Sequence, residues 1–394
     1  MGCRKIRVVF VVVMIFMASI VFAQSNAPYP ASTTISGVTW DHAHVITLAP
    51  GSDLWPMTWA DDGNVYAVGG DGGGFNGNND TCRARTTLTR ITGSPPSITG
   101  KNLSGCMADG TGCSEWNVHH DAACDSPYAT GWDGVPDTIL AIGNTLHMIP
   151  WIFTDPPTRK IYHTSNFGQT WTSNNWVWTL TPGSGNFFPG AFINFGQGYA
   201  GARDNYVYLL GSKEGSRGTY LARVPQTSLG TQGAYEYFTG TANNPTWGTW
   251  GNSTPIFQHA DSNSGINIVY FPVLKRYIEV GLHGVASDDP GESPIQALGV
   301  FEAPEPWGPW KTVYYSDNWG NYGTTHGLSN NISPKWISSD NKTFYMTFSG
   351  PDYDSFNLIK GTFTLGTPVG AIPNVPTNLN VMPASSAKNR SEKY

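Results

Sequence analysis

The sequence predicts an all-β fold, a five-bladed β-propeller, on three observations. No segment after the first two dozen residues carries a convincing 3.6-residue apolar period. A unit of alternating strand, Gly-rich loop and second strand recurs five times, and a further candidate strand precedes each copy. Charged residues are only 13% of the chain, against a usual figure of about 25%, and Gly, Asn, Thr, Trp and Tyr take their place. That composition suits many short strands and turns.

The elements follow in order. Arg4, Lys5 and Arg7 precede an uncharged run from Val8 to Val21, and Val21-Phe22-Ala23 offers small residues for cleavage. This reads as a secretory signal peptide over 1–23, with Gln24 the first mature residue. The run is short for a membrane span, which needs about 20 residues, so a soluble secreted protein, extracellular or periplasmic, is expected. Loss of the three leader cations moves the formal net charge from −6 to −9. An acidic surface argues against nucleic acid or anionic lipid as partner. A monomer is expected.

The propeller domain is assigned to 24–365. Its five units are NVYAVGG to TTLTRI (64–91), TLHMIPWIF to KIYHTS (145–165), NYVYLLGS to GTYLARV (205–224), KRYIEVGLH to QALGVFEA (275–303) and KTFYMTFSG to FNLIKGTF (342–363). The strands ahead of them are LWPMTWA, DTILAIG, GAFINFG, INIVYFP and SPKWISS. Pro56 lies inside such a strand, which is tolerated on an edge; the innermost strand of a blade is an edge lining the axis. Residues 164–171, TSNFGQTW, resemble the Asp-box hairpin of sialidase-like propellers, with Asn166 where Asp is usual. From 366 to 394 the chain turns Pro-, Ser- and Asn-rich and reads as a tail or linker. Four cysteines remain after the leader, Cys82, Cys106, Cys113 and Cys124. Export favours disulfides, with three pairings open; the absence of a Cys-x-x-Cys pair argues against zinc.

Candidate chemistry gathers in SDLWPMTWADDGNVYAVGGDGGG (52–74). A type I′ turn at Asp62-Gly63 would set Asp53 opposite Gly72 and Asp71 opposite Leu54. The two acids then flank the open end of one hairpin, roughly 5 to 8 Å apart, a span that covers the carboxylate separations of retaining and inverting glycosidases. Two carboxylates so close resist double ionisation, which suits one to hold a proton as a general acid. Against this stands plain turn chemistry, the reading assigned to Asp61 and Asp62. The Gly-rich run 71–80 could cradle a ligand or a structural calcium, but lacks the alternating oxygens of a calcium loop. Trp55, Trp59, Trp132, Trp151, Trp307, Trp310, Trp319 and Trp336 could stack on sugar faces or fill the space between blades. His119-His120-Asp121 and His326 have metal-ligand chemistry without a second partner at a telling spacing. No Gly-x-Ser-x-Gly elbow, phosphate loop or His-Glu-x-x-His occurs.

Several runs together resemble one family. They are SDLWPMTWADDGNVY (52–66), GQGYAGARDNYVY (196–208), YLARVP (220–225), LKRY (274–277), GVFEAPEPWGPW (299–310) and PKWISSD (334–340). The family is one of secreted bacterial five-bladed propellers, formerly a domain of unknown function, that includes endo-D-arabinanases. The resemblance spans about 35–365. It implies a glycan cleft at one end of the axis, catalysis by two first-blade aspartates at the positions of Asp53 and Asp71, and no organic cofactor. It also implies cleft or blade-organising roles for Asn194, Arg203, Asp204 and Lys335, to which Trp55 and Trp336 are added as substrate-binding residues for their stacking faces. Where many members carry a Lys ahead of the second inner strand, this chain has Gly-Val-Pro-Asp (134–137). A glycoside hydrolase acting on a furanosidic polysaccharide is the expected function; a non-catalytic glycan-binding propeller, which needs aromatics but not acids, is the alternative, and a structural or protein-interaction scaffold without sugar affinity is a third.

Overall fold

The computed structural model describes residues 26–75, 84–105, 134–181, 183–259, 267–283, 297–320, 330–350 and 355–366. Its regular structure is five antiparallel sheets joined by loops and short 3-10 turns. Each sheet is one blade, and the five-bladed expectation holds. Blade 1 is Asp53–Trp59, Val65–Gly72, Ala84–Ser94 and Ser97–Asn102. Blade 2 starts with Gly134–Ile142 and Thr145–Ile152, and its outer layers are split into short pieces from Thr158–Arg159 to Trp178–Thr179. Blade 3 runs Phe187–Phe192, Tyr206–Lys213, Gly218–Pro225 and Glu236–Phe238, with Trp247–Gly248 outside. Blade 4 is Asn267–Phe271, Arg276–Leu282, Leu298–Ala303 and Lys311–Ser316. Blade 5 takes Asn331–Ile337, Thr343–Phe348 and Phe356–Leu365 from the end of the chain, and its outer strand, Ile35–Trp40, from the beginning.

The strands bury both faces because each blade is packed between two others. In Val65–Gly72 the residues Val65, Tyr66, Ala67 and Val68 are all fully buried. Side chains alternate across a strand, so Val65 and Ala67 join Trp55, Trp336 and Phe356 between blades 1 and 5. Tyr66 and Val68 join Ile139, Leu146 and Met148 between blades 1 and 2. The same logic sets Phe271, Ile278 and Val280 of blade 4 against Phe344, Met346 and Ile359 of blade 5.

Pro56 occupies the innermost, edge strand, as expected, and the pattern recurs. Pro136, Pro189 and Pro334 stand in the inner strands of blades 2, 3 and 5, and the ladder register shifts at or next to each proline. A proline has no N–H for a ladder, so it belongs at an edge or a bulge. The Asn166 hairpin also forms: Asn166 Oδ1 accepts from Thr164 Oγ1 at 2.7 Å and from the Thr170 N–H at 3.0 Å. Phe167 at its tip stacks on Tyr66.

The register of the first hairpin differs from expectation. The turn has three residues, not two: Gly63 N–H bonds Ala60 O and Ala60 N–H bonds Asn64 O, with Gly63 at φ 83°. Asp62 stabilises this turn by accepting the Asn64 N–H, so a type I turn with a left-handed glycine wins over type I′. A bulge between Leu54 and Met57 moves the pairing again, and Asp53 faces Gly70 instead of Gly72. Cys82, Cys106, Cys113, Cys124, Trp132, His119, His120, Asp121 and His326 lie outside the described residues. No helix among the described residues is long and apolar enough to cross a membrane.

Candidate active site at one end of the axis

The up-and-down order of each blade starts every inner strand at the same end of the propeller. Asp53, Gly134, Phe187, Asn267 and Asn331 mark that end. The turn of the first hairpin lies at the other, where Asp61 N–H bonds Gly143 O and Gly143 N–H bonds Gly198 O.

Asp53 opens the inner strand of blade 1, and Asp71 nearly closes the strand beside it. With Asp53 opposite Gly70, the acids are offset by one residue, which puts their α-carbons roughly 6 Å apart by strand geometry. The two shifts of register change the partners and leave the residues one step apart on neighbouring strands; by strand alternation Asp53 shares the face of Gly70, and Asp71 starts from the other. Asp53 Oδ1 is buried and lies over Gly70, where an added Cβ would stand 2.5 Å from it. Gly72 is crossed even more closely by the Gly51 carbonyl. The glycines of this segment thus make room for the chain that carries Asp53. The backbone here is unusual: Leu54, Trp55 and Asp71 have φ of 69°, 58° and 43°. Left-handed conformations in non-glycine residues each cost on the order of 1–3 kcal/mol and persist where surroundings impose them. Ser52 helps to do so, accepting the Gly74 N–H at 2.7 Å and, through its carbonyl, the Trp55 indole N–H at 3.0 Å.

Asp71 lies across the ladder from Arg85, between the pairs Gly70–Thr86 and Gly72–Ala84. The Arg85 guanidinium is 3.7 Å from Asp71 Oδ1 and 4.9 Å from the ring centre of Phe153 in blade 2. Deeper in the wall, Asp137 and Arg159 form a buried ion pair at 2.7 Å. Arg159 also donates to the Pro189 carbonyl and lies 4.1 Å from the Phe188 ring centre, joining blades 2 and 3. Burial pushes the Asp137 carboxyl up to about 6, against the pull of Arg159. Asp137 is the acid of the Gly-Val-Pro-Asp run. Its role as the partner of Arg159 escaped the sequence reading, although an acid inside an otherwise apolar strand was a visible signal. Glu279 was missed for the same reason: it sits in RYIEVGL, is fully buried, and burial raises it well above the usual carboxylate range.

The other candidates lie elsewhere. Trp55 and Trp336 are buried between blades 1 and 5, where Trp55 packs edge-on against Phe75 and Phe356. Neither offers a ring face to a sugar; adjacent blades need the volume. Asn194 is an axial tie. Its side chain accepts from Thr58 Oγ1 at 3.3 Å and donates to Met57 O at 3.4 Å, and its backbone pairs with Ile268 and Tyr270. Thr58 in turn accepts the Ala141 N–H, so four blades meet at this pair. Asn194, Asn267 and Asn331 line a small axial cavity with Met57 and Ile332.

Arg203, Asp204 and Lys335 stand at the opposite end from Asp53. Lys335 Nζ donates to Gly63 O at 2.7 Å, at the hairpin turn; burial lowers its pKa, partly offset by Asp62. That turn is roughly 20 Å from Asp53 along the strand. Arg203 makes a bidentate pair with Glu305 at 2.7 and 2.9 Å. Asp204 accepts the Tyr206 N–H at 3.0 Å and the Tyr208 hydroxyl at 2.6 Å. Asp62 repeats that geometry, with the Asn64 N–H at 2.9 Å and the Tyr66 hydroxyl at 2.7 Å. Burial acts to raise Asp62, but its bonds from Asn64 and Tyr66 outweigh that and hold it below the usual range. Both acids organise a turn between first and second strands. Among the described residues no group of three or more His, Cys, Asp or Glu is placed to hold a metal ion.

No protein-family model matches the sequence, and no curated protein matches it. Solved structures with a similar fold include a protein of Bacteroides ovatus ATCC 8483 for which a hydrolase activity has been suggested. The identity is 13% and the TM-score 0.48, over 80% of this chain and 87% of that one. The GH43 protein BlXynB of Bacillus licheniformis matches at 10% identity and TM-score 0.44, over 82% of this chain and 57% of its own. Trypanosoma rangeli sialidase matches at 10% and 0.44, over 82% of this chain and 59% of its own. This chain thus covers less than two thirds of the length of the last two. At these identities and TM-scores nothing is carried over to this chain; its five-bladed architecture rests on its own five sheets.

Proposed function

We propose that this protein is a secreted glycoside hydrolase that cleaves a furanosidic polysaccharide, D-arabinan first among them, in endo fashion, with Asp53 and Asp71 as its acid pair. What supports the reading is that the two acids stand one step apart on neighbouring strands at the open end of the innermost hairpin, where left-handed backbone at Leu54, Trp55 and Asp71 breaks the regular strand alternation. The resemblance of the first-blade run and of GVFEAPEPWGPW to the arabinanase-containing family supports it. In the reaction one carboxylic acid protonates the leaving glycosidic oxygen as the C–O bond breaks. The other carboxylate either takes a proton from the attacking water, or attacks the anomeric carbon to form a glycosyl ester that water, deprotonated by the first residue, then hydrolyses. No organic cofactor enters this scheme.

The test is reducing-end release from D-arabinan, L-arabinan, galactofuranan, xylan and sialylated glycans by the chain from Gln24. Wild-type release, lost by at least about a thousandfold in Asp53→Asn and in Asp71→Asn with unchanged melting, is the expected result, since these groups act only in the chemical step. Near-normal turnover in either variant removes that residue from the mechanism. Binding of a glycan without any product would instead establish the lectin reading.

A further inference from the structure

Beside the acid pair, the structure carries an aromatic surface that the sequence reading did not single out. Phe153 directly follows Thr145–Ile152, the second strand of blade 2, at the end of the molecule that holds Asp53 and Asp71. It is 46% exposed, whereas Trp55 and Trp336 are buried. Among the described residues the other large exposed hydrophobic side chains are Val177, Val273 and Leu365, so Phe153 is the aromatic of that set. A single exposed apolar ring is ordinary on a protein surface; this one stands out because it is held in place beside Asp71. The Arg85 guanidinium sits 4.9 Å from the ring centre while standing 3.7 Å from Asp71 Oδ1. Arg85 is itself only 24% exposed in its side chain. A cation over the ring fixes its orientation, and one guanidinium thereby links the platform to the acid pair.

We propose that Phe153 is a sugar-stacking subsite, with Arg85 as the residue that positions it. Its occupant is a furanose ring of the polysaccharide, next along the chain from the ring cleaved at Asp53 and Asp71. The C–H face of the sugar lies on the exposed part of the phenyl ring, and Arg85 sets the ring's distance from Asp71. The inference rests on the reading of the protein as a polysaccharide hydrolase, and the experiment separates the two.

Steady-state kinetics on the cleaved polysaccharide would compare wild type, Phe153→Ala and Phe153→Tyr. The subsite predicts a rise in KM of roughly three- to tenfold in Phe153→Ala, the worth of one aromatic face, with kcat within about twofold and recovery in Phe153→Tyr. Because Phe153 is exposed, Phe153→Ala should fold normally, and its melting curve verifies this. Unchanged KM in a folded, active Phe153→Ala overturns the subsite and leaves the hydrolase intact. A wild type that neither cleaves nor binds any glycan of the panel overturns both.

Discussion

Asp53 keeps its place because nothing projects from Gly70 beneath it. A methyl there would stand 2.5 Å from Asp53 Oδ1 and 3.0 Å from Leu54, both ends of side chains that can move. Gly70→Ala is therefore expected to fold with a modest loss of stability, and to lower turnover at least about tenfold by displacing the carboxylate. At Gly72 the same methyl would meet the Gly51 carbonyl oxygen at 1.5 Å, and backbone cannot step aside so readily. Gly72→Ala should cost about 3 kcal/mol or more, beyond ordinary overpacking. Urea unfolding and initial rates on both variants distinguish the two effects. Trp55 belongs with Gly72 as a structural residue. Its truncation to Ala should cost about 3–5 kcal/mol, which a fall in the unfolding midpoint would register.

At the scale of the strand, buried Glu279 and largely buried Asp137 respond differently to pH and to mutation. Glu279 lies in the second strand of blade 4 between Ile278 and Val280, and its Oε2 has no hydrogen-bond partner among the described residues. Burial raises its pKa well above 4.5, so the folded chain holds a proton that the unfolded chain releases above that value. Stability contributed by the protonated form is thus fully present below about pH 4.5 and falls as pH rises toward the folded pKa, by about 1.4 kcal/mol per unit within that window. Glu279→Gln keeps the shape without the titration. Its urea midpoint should match wild type near pH 4.5 and exceed it at pH 8; an identical dependence on pH would refute the assignment. Asp137 has a partner, and the consequence differs. Arg159→Met leaves a largely buried carboxyl without its cation, at an expected cost of about 3–5 kcal/mol, whereas changing exposed Lys101 should be nearly silent.

For the whole molecule the decisive contact is between the two ends of the propeller domain. Ile35–Trp40 pairs with Phe356–Leu365 and completes blade 5. Just before it the chain is pinned to blade 4: Ala31 bridges Thr312, and Ser32 Oγ donates to Glu302 Oε1 at 2.7 Å. Glu302 is buried and pairs with Arg276 at 2.8 Å. Closing the ring in this way leaves no blade with an open face, which matters because both faces of each are apolar. A chain beginning at Asp41 should lose cooperative thermal unfolding and aggregate, while one beginning at Asn26 should melt cooperatively. Calorimetry of the two would decide it.

Much of this architecture was legible before any coordinates. The five repeats became five blades because strand alternation and Gly-rich turns are local properties, read within about ten residues. Pro56 marked an inner edge for the same reason. That Asp53 and Asp71 stand on neighbouring strands at one open end was also legible, since a hairpin joins them; the face from which each carboxylate projects was not. Their partners were not: the extra turn residue and the Leu54–Met57 bulge each slide the ladder by one, and Pro56 marked an edge or a bulge without telling which. The burial of Trp55 and Trp336, and the separation of Arg203, Asp204 and Lys335 from the acids, depend on which blade packs on which face. The same holds for Phe153 beside Arg85 and for the N-terminal strand that completes blade 5. The residues by themselves determined the kind of element and its count; only packing across blades, over contacts hundreds of residues apart, decided which side chains face solvent and which face one another.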